Sequence, residues 1–504
     1  MRPTAHPLRI AVIAPLRYPI REPHAGGLES SIWHQVDSLR RRGHRVTLAA
    51  VAGSDFLADG PPEFVLPPVV WAPGEVPNDV GYPHGYEAHA LPALERALMH
   101  IAQHAGEFDV VHNHSLHGTP LAWAGRLGVP MVSTLHTPVL TELVEAHARS
   151  EAPASRFTAV STHTAGEWMP AGIESTVVPN AVDADRWPIG PGGPDLVWFG
   201  RIVEEKGAHL AIRAARMLGR RIVLAGRIGD PGYFEQQVRP LLGPGASYVG
   251  ELRQPELARL VGRSSCALVT PVWQEPFGLI IAETLMTGTP VACFDTGGVA
   301  EVVGAAGAAG AAGAAGAGAG GSGAGASALL VPMGDVAGLA AAAGHLIARG
   351  EADAGTRRRT RAGAVAGFSL DARVLELETM YRQLVLDGTL GLPAATAGRA
   401  VAPVAPVAPA APVASTAPPA LAATPPAVSG RASAGADVSG RASSAPDVSG
   451  RASSAPDVSG RASSAPDVSG RASSAPDVSG RASSAPDVSG RASTPPGTPA
   501  EARR

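Results

Sequence analysis

Short apolar runs rich in Val and Ile alternate with helical patterns from about residue 8 to about residue 387 of this 504-residue chain. The run Leu8–Pro15 is followed by Gly27–Arg42, in which apolar residues recur every three or four positions, as on one face of a helix. Strands that alternate with helices build parallel sheets covered on both faces. The alternation therefore predicts an α/β fold.

The predicted strands form two sets, separated by a stretch rich in Pro and Gly, Asp183–Gly193. The first set is Leu8–Pro15, Arg45–Val51, Asp109–His112, Met131–Leu135, Phe157–Val160 and Thr176–Val178. The second set is Leu196–Phe199, Arg221–Ala225, Ser247–Val249, Cys266–Thr270, Pro290–Phe294 and Ala328–Val331. Helices are predicted at Gly27–Arg42, Ala208–Leu218, Tyr233–Leu242, Pro255–Val261, Leu279–Met286 and Leu370–Leu386.

These sets predict two doubly wound, Rossmann-like domains, residues 8–184 and residues 195–370, followed by a closing helix in residues 370–387. Sheets of this kind bind ligands at the carboxyl ends of their strands. We therefore expect a ligand in a cleft between the two domains.

Two segments of low complexity depart from this order. Residues 304–326 are almost wholly Gly and Ala, and we interpret them as a flexible, chemically inert surface insertion. Residues 388–504 contain no Trp, Tyr or Phe, and a ten-residue unit recurs from Val438. Such a segment cannot bury enough apolar surface to offset its chain entropy, so it is predicted to be a disordered tail. It is a flexible spacer or, alternatively, a docking or phosphorylation tail.

Composition limits the partners and the cellular location. The net charge of −3 does not favour a nucleic acid, and Cys266 and Cys293 lie in apolar runs, as buried free thiols do. The apolar run Leu8–Leu16 lacks the features of a secretion signal, and no apolar stretch is long enough to span a membrane. We therefore expect a cytoplasmic protein without an integral membrane segment.

Two glycine-containing turns could hold a phosphate. Gly26 and Gly27 lead from the first strand into the first helix, where free backbone N–H groups and the helix dipole attract anions. A plain tight turn would need the same glycines. After the first strand of the second domain, Arg201 and Lys206 flank a turn and can give two positive charges to a diphosphate. The alternative is that both pair with neighbouring glutamates at the surface.

The third feature is the segment Gln274–Glu283. Gly278 opens a predicted helix, so the N–H groups of Gly278 and Leu279 can face an anion. Glu275 precedes this helix and Glu283 lies within it, so the two carboxylates can bracket a ligand. A chance pair of glutamates is the alternative.

Together these motifs give a specific resemblance. Glu275-Pro276-Phe277-Gly278 with Glu283 resembles the paired-glutamate motif of the family 4 retaining glycosyltransferases. Further motifs follow in the order typical of that family: Gly26-Gly27, Asp109–His114, Ser133–His136, Ala159–Ser161, Val178–Asp183, Gly200-Arg201, Lys206-Gly207, Gly297-Gly298 and Glu301–Val303. The resemblance covers about residues 8–387.

The resemblance implies the GT-B fold, a retaining reaction, no cofactor and an α-linked nucleotide-diphosphate sugar as donor. A UDP-sugar is the preferred donor, a GDP- or ADP-sugar is the alternative, and the acceptor is unidentified. By resemblance Glu283 holds the donor ribose and Glu275 the sugar hydroxyls, Arg201 and Lys206 hold the diphosphate with Gly26 and Gly27, and His136 lies beside the reacting sugar. His136, Glu275, Arg201 and Lys206 form the predicted catalytic set, while Phe277, Gly278 and Leu279 complete the donor-binding loop.

Some features of the sequence depart from this resemblance or imitate metal-binding patterns. Ala181 replaces a common glycine, and residues 60–89 match no family motif, so they are either a variable loop or a stretch that shapes acceptor choice. Asp183-Ala184-Asp185 imitates a metal-binding motif but falls in the linker. His112 and His114 alternate along a strand and are expected to point to opposite faces. No metal site is therefore predicted.

Two other functions compete with the transferase. A catalytically inactive nucleotide-sugar-binding protein of the same fold would have no reason to keep His136, Arg201, Lys206, Glu275 and Glu283 together. A nicotinamide-dependent dehydrogenase would need a G-x-G-x-x-G turn after the first strand and an acidic residue at the end of the second, near Val51. Neither feature is present.

Overall fold

The computed structural model describes residues 6–79, 81–150, 155–311 and 327–391. Within them, two sheets form in which every pairing between the named strands is parallel. This confirms the α/β fold with two Rossmann-like sheets. The predicted tail, residues 388–504, lies outside the described residues apart from the helical turn at 388–391.

The first sheet has seven strands in the order β3-β2-β1-β4-β5-β6-β7. The strands are β1 (Arg9–Ile13), β2 (Arg45–Val51), β3 (Val65–Leu66), β4 (Val110–Asn113), β5 (Met131–Leu135), β6 (Ser155–Ala159) and β7 (Thr176–Val177). The helices of this part of the chain are α1 (Gly27–Arg41), α2 (Tyr86–Gln103), α3 (Thr119–Trp123), α4 (Thr141–Ala148) and α5 (Thr162–Trp168).

The second sheet has six strands in the order β10-β9-β8-β11-β12-β13. The strands are β8 (Leu196–Phe199), β9 (Ile222–Ala225), β10 (Ala246–Tyr248), β11 (Cys266–Val269), β12 (Val291–Asp295) and β13 (Ala328–Pro332). The helices are α6 (Ala208–Met217), α7 (Pro231–Tyr233), α8 (Gln254–Gly262), α9 (Leu279–Met286), α10 (Val299–Ala311), α11 (Val336–Ala352), α12 (Thr356–Phe368) and α13 (Leu370–Gly391).

Each sheet is buried on both faces because side chains alternate along its strands. In β8, Leu196 and Trp198 belong to one hydrophobic cluster, and Val197 and Phe199 to another. The period of two residues directs successive side chains to opposite faces, so a strand buried on both sides must be apolar throughout. This is why these strands appear in the sequence as unbroken apolar runs.

The last helix, α13, packs against the first sheet although it follows the second in sequence. Val374, Leu377 and Tyr381 are buried in a cluster with Ile10 and Val12 of β1. Apolar residues that recur every three or four positions form a stripe along one side of a helix, and burial of that stripe is favourable. In α13 the stripe is buried against the first sheet. The assignment of domain limits at 184, 195 and 370 stays a prediction.

The structure differs from the predicted elements in several places. The predicted helix Tyr233–Leu242 is α7, a π-helical turn (Phe234–Val238) and a 3₁₀ turn (Arg239–Leu241), because Pro240 has no N–H for an α-helical bond. Part of the Gly/Ala segment predicted as a flexible loop is helical, since α10 continues to Ala311. Alanine favours helix, and Ala306 is buried. Residues 312–326 lie outside the described part of the chain.

The strand order fixes where a ligand can bind. It reverses between β1 and β4 in the first sheet and between β8 and β11 in the second. The loops that leave neighbouring strands at such a point run in opposite directions and open a crevice beside the sheet. The turn bearing Arg201 and Lys206 follows β8, and the loop bearing Glu275 follows β11, so both lie at this point of the second sheet.

Candidate active site

Lys206 and Glu275 form an ion pair across the switch point of the second sheet. The Lys206 Nζ lies 2.5 Å from the Glu275 Oε2, and the side chains are 21% and 13% exposed. The Trp273 indole N–H donates to the same carboxylate oxygen over 2.9 Å, and its ring lies under the ammonium at 4.8 Å. Both contacts fall on Oε2, so the other carboxylate oxygen of Glu275 is left to accept from a ligand.

Two glycines hold the Glu275 loop at close range. Gly297 has a φ of +58°, and a Cβ there would lie 2.2 Å from the Glu275 carbonyl oxygen. The Gly298 N–H donates to that same carbonyl over 2.7 Å. Only glycine combines this backbone conformation with so close an approach. The pair therefore sets the position of the Glu275 backbone.

The helix α9 begins directly after Gly278, whose φ is +86°. Phe277 and Leu279 are buried in the core of the second sheet, so their side chains fix the loop. Glu283 lies in the second turn of α9. Burial raises the pKa of its carboxyl to about 8, and no hydrogen bond or ion pair engages this carboxyl within the described ranges.

The glycine loop of the first domain approaches the second domain at two points. A Cβ on Gly27 would lie 3.6 Å from Leu279, and one on Gly26 would lie 3.8 Å from the Arg201 side chain and 3.1 Å from the Glu29 carboxylate. The chain therefore brings Gly26, Gly27, Arg201 and the start of α9 together. Glu29, which is buried, was not singled out in the sequence.

Arg201 is paired with two carboxylates. Its guanidinium lies 2.8 Å from the Asp79 Oδ2 and 2.9 Å from the Glu205 Oε1. The sequence left open that Arg201 pairs with a neighbouring glutamate, and Arg201 does pair with Glu205. Asp79 comes from the first domain, within residues 60–89, and was not expected here.

The histidines of the first sheet differ from the sequence interpretation. The His112 and His114 rings lie 3.9 Å apart, so they do not point to opposite faces. Because β4 ends at Asn113, the alternation of a strand no longer applies at His114. The His112 Nδ1 is within 2.5 Å of the Tyr381 hydroxyl on α13, so His112 is a core residue.

His136 follows β5 and is hydrogen-bonded to His114. The His136 Nε2 and the His114 Nδ1 are 2.8 Å apart. Burial lowers the pKa of His136 to about 3 and holds that of His114 well below its ordinary value, so both rings are neutral at pH 7. In the described part of the chain, no hydrogen bond or ion pair joins His136 to Arg201, Lys206 or Glu275.

The two halves also meet beside the Glu275 loop. The Ser161 hydroxyl donates to the Pro276 carbonyl over 2.6 Å. The Glu301 carboxylate accepts the N–H groups of Thr162 and His163, each over 2.7 Å, at the first turn of α5. A carboxylate at a helix N-terminus is favoured by the free N–H groups there. These contacts connect the donor-side loop to the first sheet.

Comparison with known proteins agrees with this architecture. The model of "Glycosyltransferase Family 4" matches residues 25–186, and that of "Glycosyl transferases group 1" matches residues 182–316. The D-inositol 3-phosphate glycosyltransferase of Mycobacterium avium is 30% identical over 351 residues, which cover 59% of this chain and 80% of that protein. The chain belongs to glycosyltransferase family 4. It is a glycosyltransferase with the GT-B fold, as the resemblance implied.

Other relatives of this family 4 glycosyltransferase support the fold. The glycogen synthase of Mycobacterium tuberculosis strain H37Rv is 29% identical over 324 residues, which cover 55% of this chain and 76% of that protein. A glycosyltransferase structure from Rickettsia africae ESF-5 covers 76% of this chain and 99% of its own at 15% identity, with a TM-score of 0.55. Anabaena Alr3699/HepE in complex with UDP-glucose covers 75% and 100% at 19% identity, with a TM-score of 0.54.

Two further observations concern metals and membranes. No group of three or more His, Cys, Asp or Glu side chains with metal-binding geometry occurs in the part of the glycosyltransferase that is described. The Asp183 carboxylate instead accepts the Asp185 N–H over 3.0 Å and lies 3.5 Å from the Arg41 guanidinium. Among the same residues no helix has the length and apolar character that crossing a bilayer requires.

Sequence reasoning missed Asp79, Tyr18 and Arg227 of this glycosyltransferase. A signal existed for Arg227, because Gly226-Arg227 repeats, at the end of β9, the Gly200-Arg201 pair that follows the neighbouring strand β8. No comparable signal marks Asp79, which is one acidic residue in a long loop.

The raised pKa of Glu283 predicts a pH-dependent stability. The carboxyl titrates near its ordinary value of 4.5 when the chain is unfolded and at about 8 when it is folded. Because only the folded state keeps the proton between these values, Glu283 lowers the free energy of unfolding progressively as the pH rises from 4.5 to 8. The Tm of the wild type should therefore fall relative to that of Glu283→Gln by about 2 °C or more across this range.

Calorimetry of both proteins from pH 5 to pH 9 measures this difference. Glu351→Gln is a control, because Glu351 is also a glutamate on a helix of the second half but lies in an exposed ion pair with Arg220. Parallel Tm curves for the wild type and Glu283→Gln would show that Glu283 is solvated and ionised like an ordinary surface glutamate.

Proposed function

We propose that this enzyme transfers a sugar from an α-linked nucleoside diphosphate sugar to an acceptor hydroxyl with retention of configuration and without a metal ion. The observation that carries the proposal is the Lys206–Glu275 ion pair before the start of α9, the helix that also bears Glu283, whose carboxyl pKa is raised to about 8 by burial. At the point where the strand order of the second sheet reverses, this pair places a cation that can bind phosphate and a carboxylate that can bind hydroxyl groups near a helix N-terminus.

In this proposal Arg201 and Lys206 bind the donor diphosphate. A lysine ammonium has three donors, so Lys206 can keep Glu275 and still donate to a phosphate oxygen. Gly26 and Gly27 allow the diphosphate to approach the first turn of α1, because neither adds a side chain there. The proposed domains, residues 8–184 and residues 195–370, would close over the donor through these contacts.

The two glutamates would hold the neutral parts of the donor. Glu275 can accept sugar hydroxyls on Oε1, because its Oε2 is already engaged by Lys206 and Trp273. Glu283, uncharged at neutral pH, can donate to one ribose oxygen and accept from another hydroxyl. His136 would face the reacting sugar as a neutral ring held by His114.

The proposed bond changes follow from the charges present. The acceptor oxygen attacks the anomeric carbon on the face from which the nucleoside diphosphate leaves, and the new linkage is α. The electron pair of the breaking C–O bond passes to the β-phosphate oxygen, which takes the acceptor proton. Arg201 and Lys206 stabilise the charge that develops there. A retaining route through a carboxylate nucleophile is less well supported, because among the described residues His136 is hydrogen-bonded to His114 and to no carboxylate.

The donor and acceptor are proposed as classes. We expect a UDP-sugar first, with GDP- and ADP-sugars as alternatives. The relatives are named for two different acceptors, an inositol phosphate and glycogen. The acceptor test therefore uses two compounds, a small charged polyol and a glucan chain.

Hydrolysis and transfer with UDP-, GDP- and ADP-sugars, each with both acceptors, test this function. We expect nucleoside diphosphate release with one base, an α-linked product by anomeric proton coupling in NMR, and activity that survives excess chelator. A β-linked product would overturn retention, and loss of activity with chelator would overturn metal independence. Tight nucleotide binding with no turnover in any combination would favour the inactive binding protein instead.

A further inference from the structure

The Asp79 carboxylate is held by two arginines and a phenol. The guanidinium groups of Arg201 and Arg227 lie 2.8 and 2.7 Å from the same oxygen, Oδ2. The Tyr18 hydroxyl donates to the other oxygen, Oδ1. The Asp79 side chain is 5% exposed. Burial opposes its ionisation, but hydrogen bonds from Arg227, Tyr18 and Arg201 outweigh burial and lower the pKa of Asp79 to about 2.

The backbone of the second sheet brings the two arginines together. Arg201 follows Gly200 at the end of β8, and Arg227 follows Gly226 at the end of the adjacent β9. A Cβ on Gly226 would lie 1.9 Å from the Gly200 carbonyl oxygen, so the two turns pack directly on each other. Two guanidinium groups held this close repel each other unless an anion lies between them.

Arg227 has further capacity to bind an anion. Its guanidinium lies over the Tyr18 ring at 4.7 Å, which fixes its plane. Its Nε is buried and has no hydrogen-bond partner among the residues that the structure describes. Guanidinium groups bind phosphate oxygens through two parallel N–H groups, and a pair of them suits a diphosphate better than a single carboxylate.

Asp79 is held by the first domain, whereas both arginines belong to the second. The Arg17 guanidinium donates to the carbonyl oxygens of Asn78 and Gly81, over 3.2 and 2.8 Å. It also lies over the Tyr82 ring at 4.2 Å. These contacts anchor the Asp79 loop beside β1. Because the carboxylate and its arginines come from different sheets, movement of one sheet relative to the other would separate them.

We propose that Arg227 joins Arg201 in binding the donor diphosphate, and that Asp79 is an internal anion which the diphosphate displaces from this site. This inference rests on the proposed transferase function. Asp79 and Glu205 each engage one terminal nitrogen of Arg201, so departure of one carboxylate would free its N–H group, and the positive charge beside it, for a phosphate oxygen. Asp79 is the carboxylate that can leave, because its loop is attached to the other sheet.

Two possible roles of Asp79, competition with the diphosphate and orientation of Arg201, predict opposite changes in anion affinity. If Asp79 competes with the diphosphate, removing its charge strengthens anion binding. If Asp79 only orients Arg201 for the donor, removing its charge weakens anion binding. The sign of the change in Kd therefore separates the two roles, and a loss of general stability would not reproduce an increase in affinity.

Titration calorimetry of the full-length protein with inorganic pyrophosphate, and with UDP, tests the inference. We expect Asp79→Asn to bind pyrophosphate about tenfold more tightly and Arg227→Gln to bind it about tenfold more weakly, the size of one charge-assisted hydrogen bond. Asp59→Asn and Arg239→Gln are matched controls, because each removes the same kind of charge from an exposed surface ion pair. Both should bind as the wild type does.

A second variant keeps the test decisive if Asp79→Asn folds poorly. Tyr18→Phe retains the carboxylate but removes one group that holds it, so pyrophosphate should bind more tightly by a smaller factor. Weaker or unchanged binding by both Asp79→Asn and Tyr18→Phe, or unchanged binding by Arg227→Gln, would overturn the inference. Absence of sugar transfer by the wild type rejects the proposed function instead, whereas an active enzyme with unchanged anion affinities rejects this inference alone.

Discussion

Replacement of Lys206 by alanine is expected to lower kcat by about a hundredfold or more, the scale for one preorganised group that stabilises developing charge. The ammonium lies against Glu275 and over Trp273, so its position is fixed before the donor binds. Negative charge on the leaving diphosphate increases as the glycosidic bond breaks. Lys206 therefore stabilises the transition state more than the ground state, and its loss should appear in kcat.

A charge-conserving variant, Lys206→Arg, tests whether the lysine side chain itself is needed. Lysine and arginine together occupy 41 positions, and Lys206 is the only lysine, so the other 40 are arginines. Lys206→Arg keeps the charge but replaces a compact ammonium by a wide, planar fork that does not fit the same contacts. We expect Lys206→Arg to recover only part of the lost turnover.

Arg239→Gln serves as the control for a lost surface cation, because Arg239 is exposed and forms an ion pair with Glu235 in the preceding turn. Steady-state kinetics with the best donor gives kcat and KM for each variant. A kcat within about threefold of the wild type in folded Lys206→Ala would show that Lys206 does not stabilise the leaving group, since such a group contributes far more.

The two glutamates of the donor loop should have different kinetic effects. Glu275→Gln is expected to lower kcat by about tenfold or more, because the variant loses a charged hydrogen-bond acceptor beside the sugar and also leaves Lys206 without its ion-pair partner. Glu283→Gln should act mainly on KM, because the ribose does not react and an uncharged carboxyl is well imitated by an amide.

Kinetics of both variants under the same conditions separates these effects. Remote binding energy can also influence turnover, so the comparison rests on the ratio of the kcat and KM changes in each variant. Direct measurement of the Kd for the nucleoside diphosphate checks that the KM change of Glu283→Gln reflects affinity. Equal changes in both parameters for both variants would contradict the assignment of sugar to Glu275 and ribose to Glu283.

Much of the fold could be predicted from the sequence. The bounds of β2, β5 and β8 agree with the predicted strands, and α9 agrees residue for residue. Each of these elements is a short, largely apolar run whose ends are marked by a change in the local sequence. β3 was missed: it has only two residues and lies in the Pro-rich stretch between Pro61 and Pro68, which does not have the sequence of a strand. The long helix α2 was not predicted either, because Pro92 lies inside it and a proline in a sequence argues against a continuous helix.

The sequence also located the donor loops, because they follow strands whose ends are visible as changes of pattern. Gly278 opens α9 as expected, and Arg201 and Lys206 lie in the turn after β8. Such features depend on residues close together in the chain. The GT-B fold and the family were therefore already indicated by motifs that each extend over only a few residues.

Only the tertiary structure showed which side chains meet. Arg227 and Asp79 are 148 positions apart in the chain, and Lys206 and Glu275 are 69 apart. The close approach of the His112 and His114 rings likewise depends on where β4 ends within its sheet. The periodicity of a sequence shows which face of a helix or strand is apolar, but it does not show how far apart two separate elements lie. Those distances are set by how the two sheets pack, and the packing placed one loop carboxylate of the first domain between two arginines of the second.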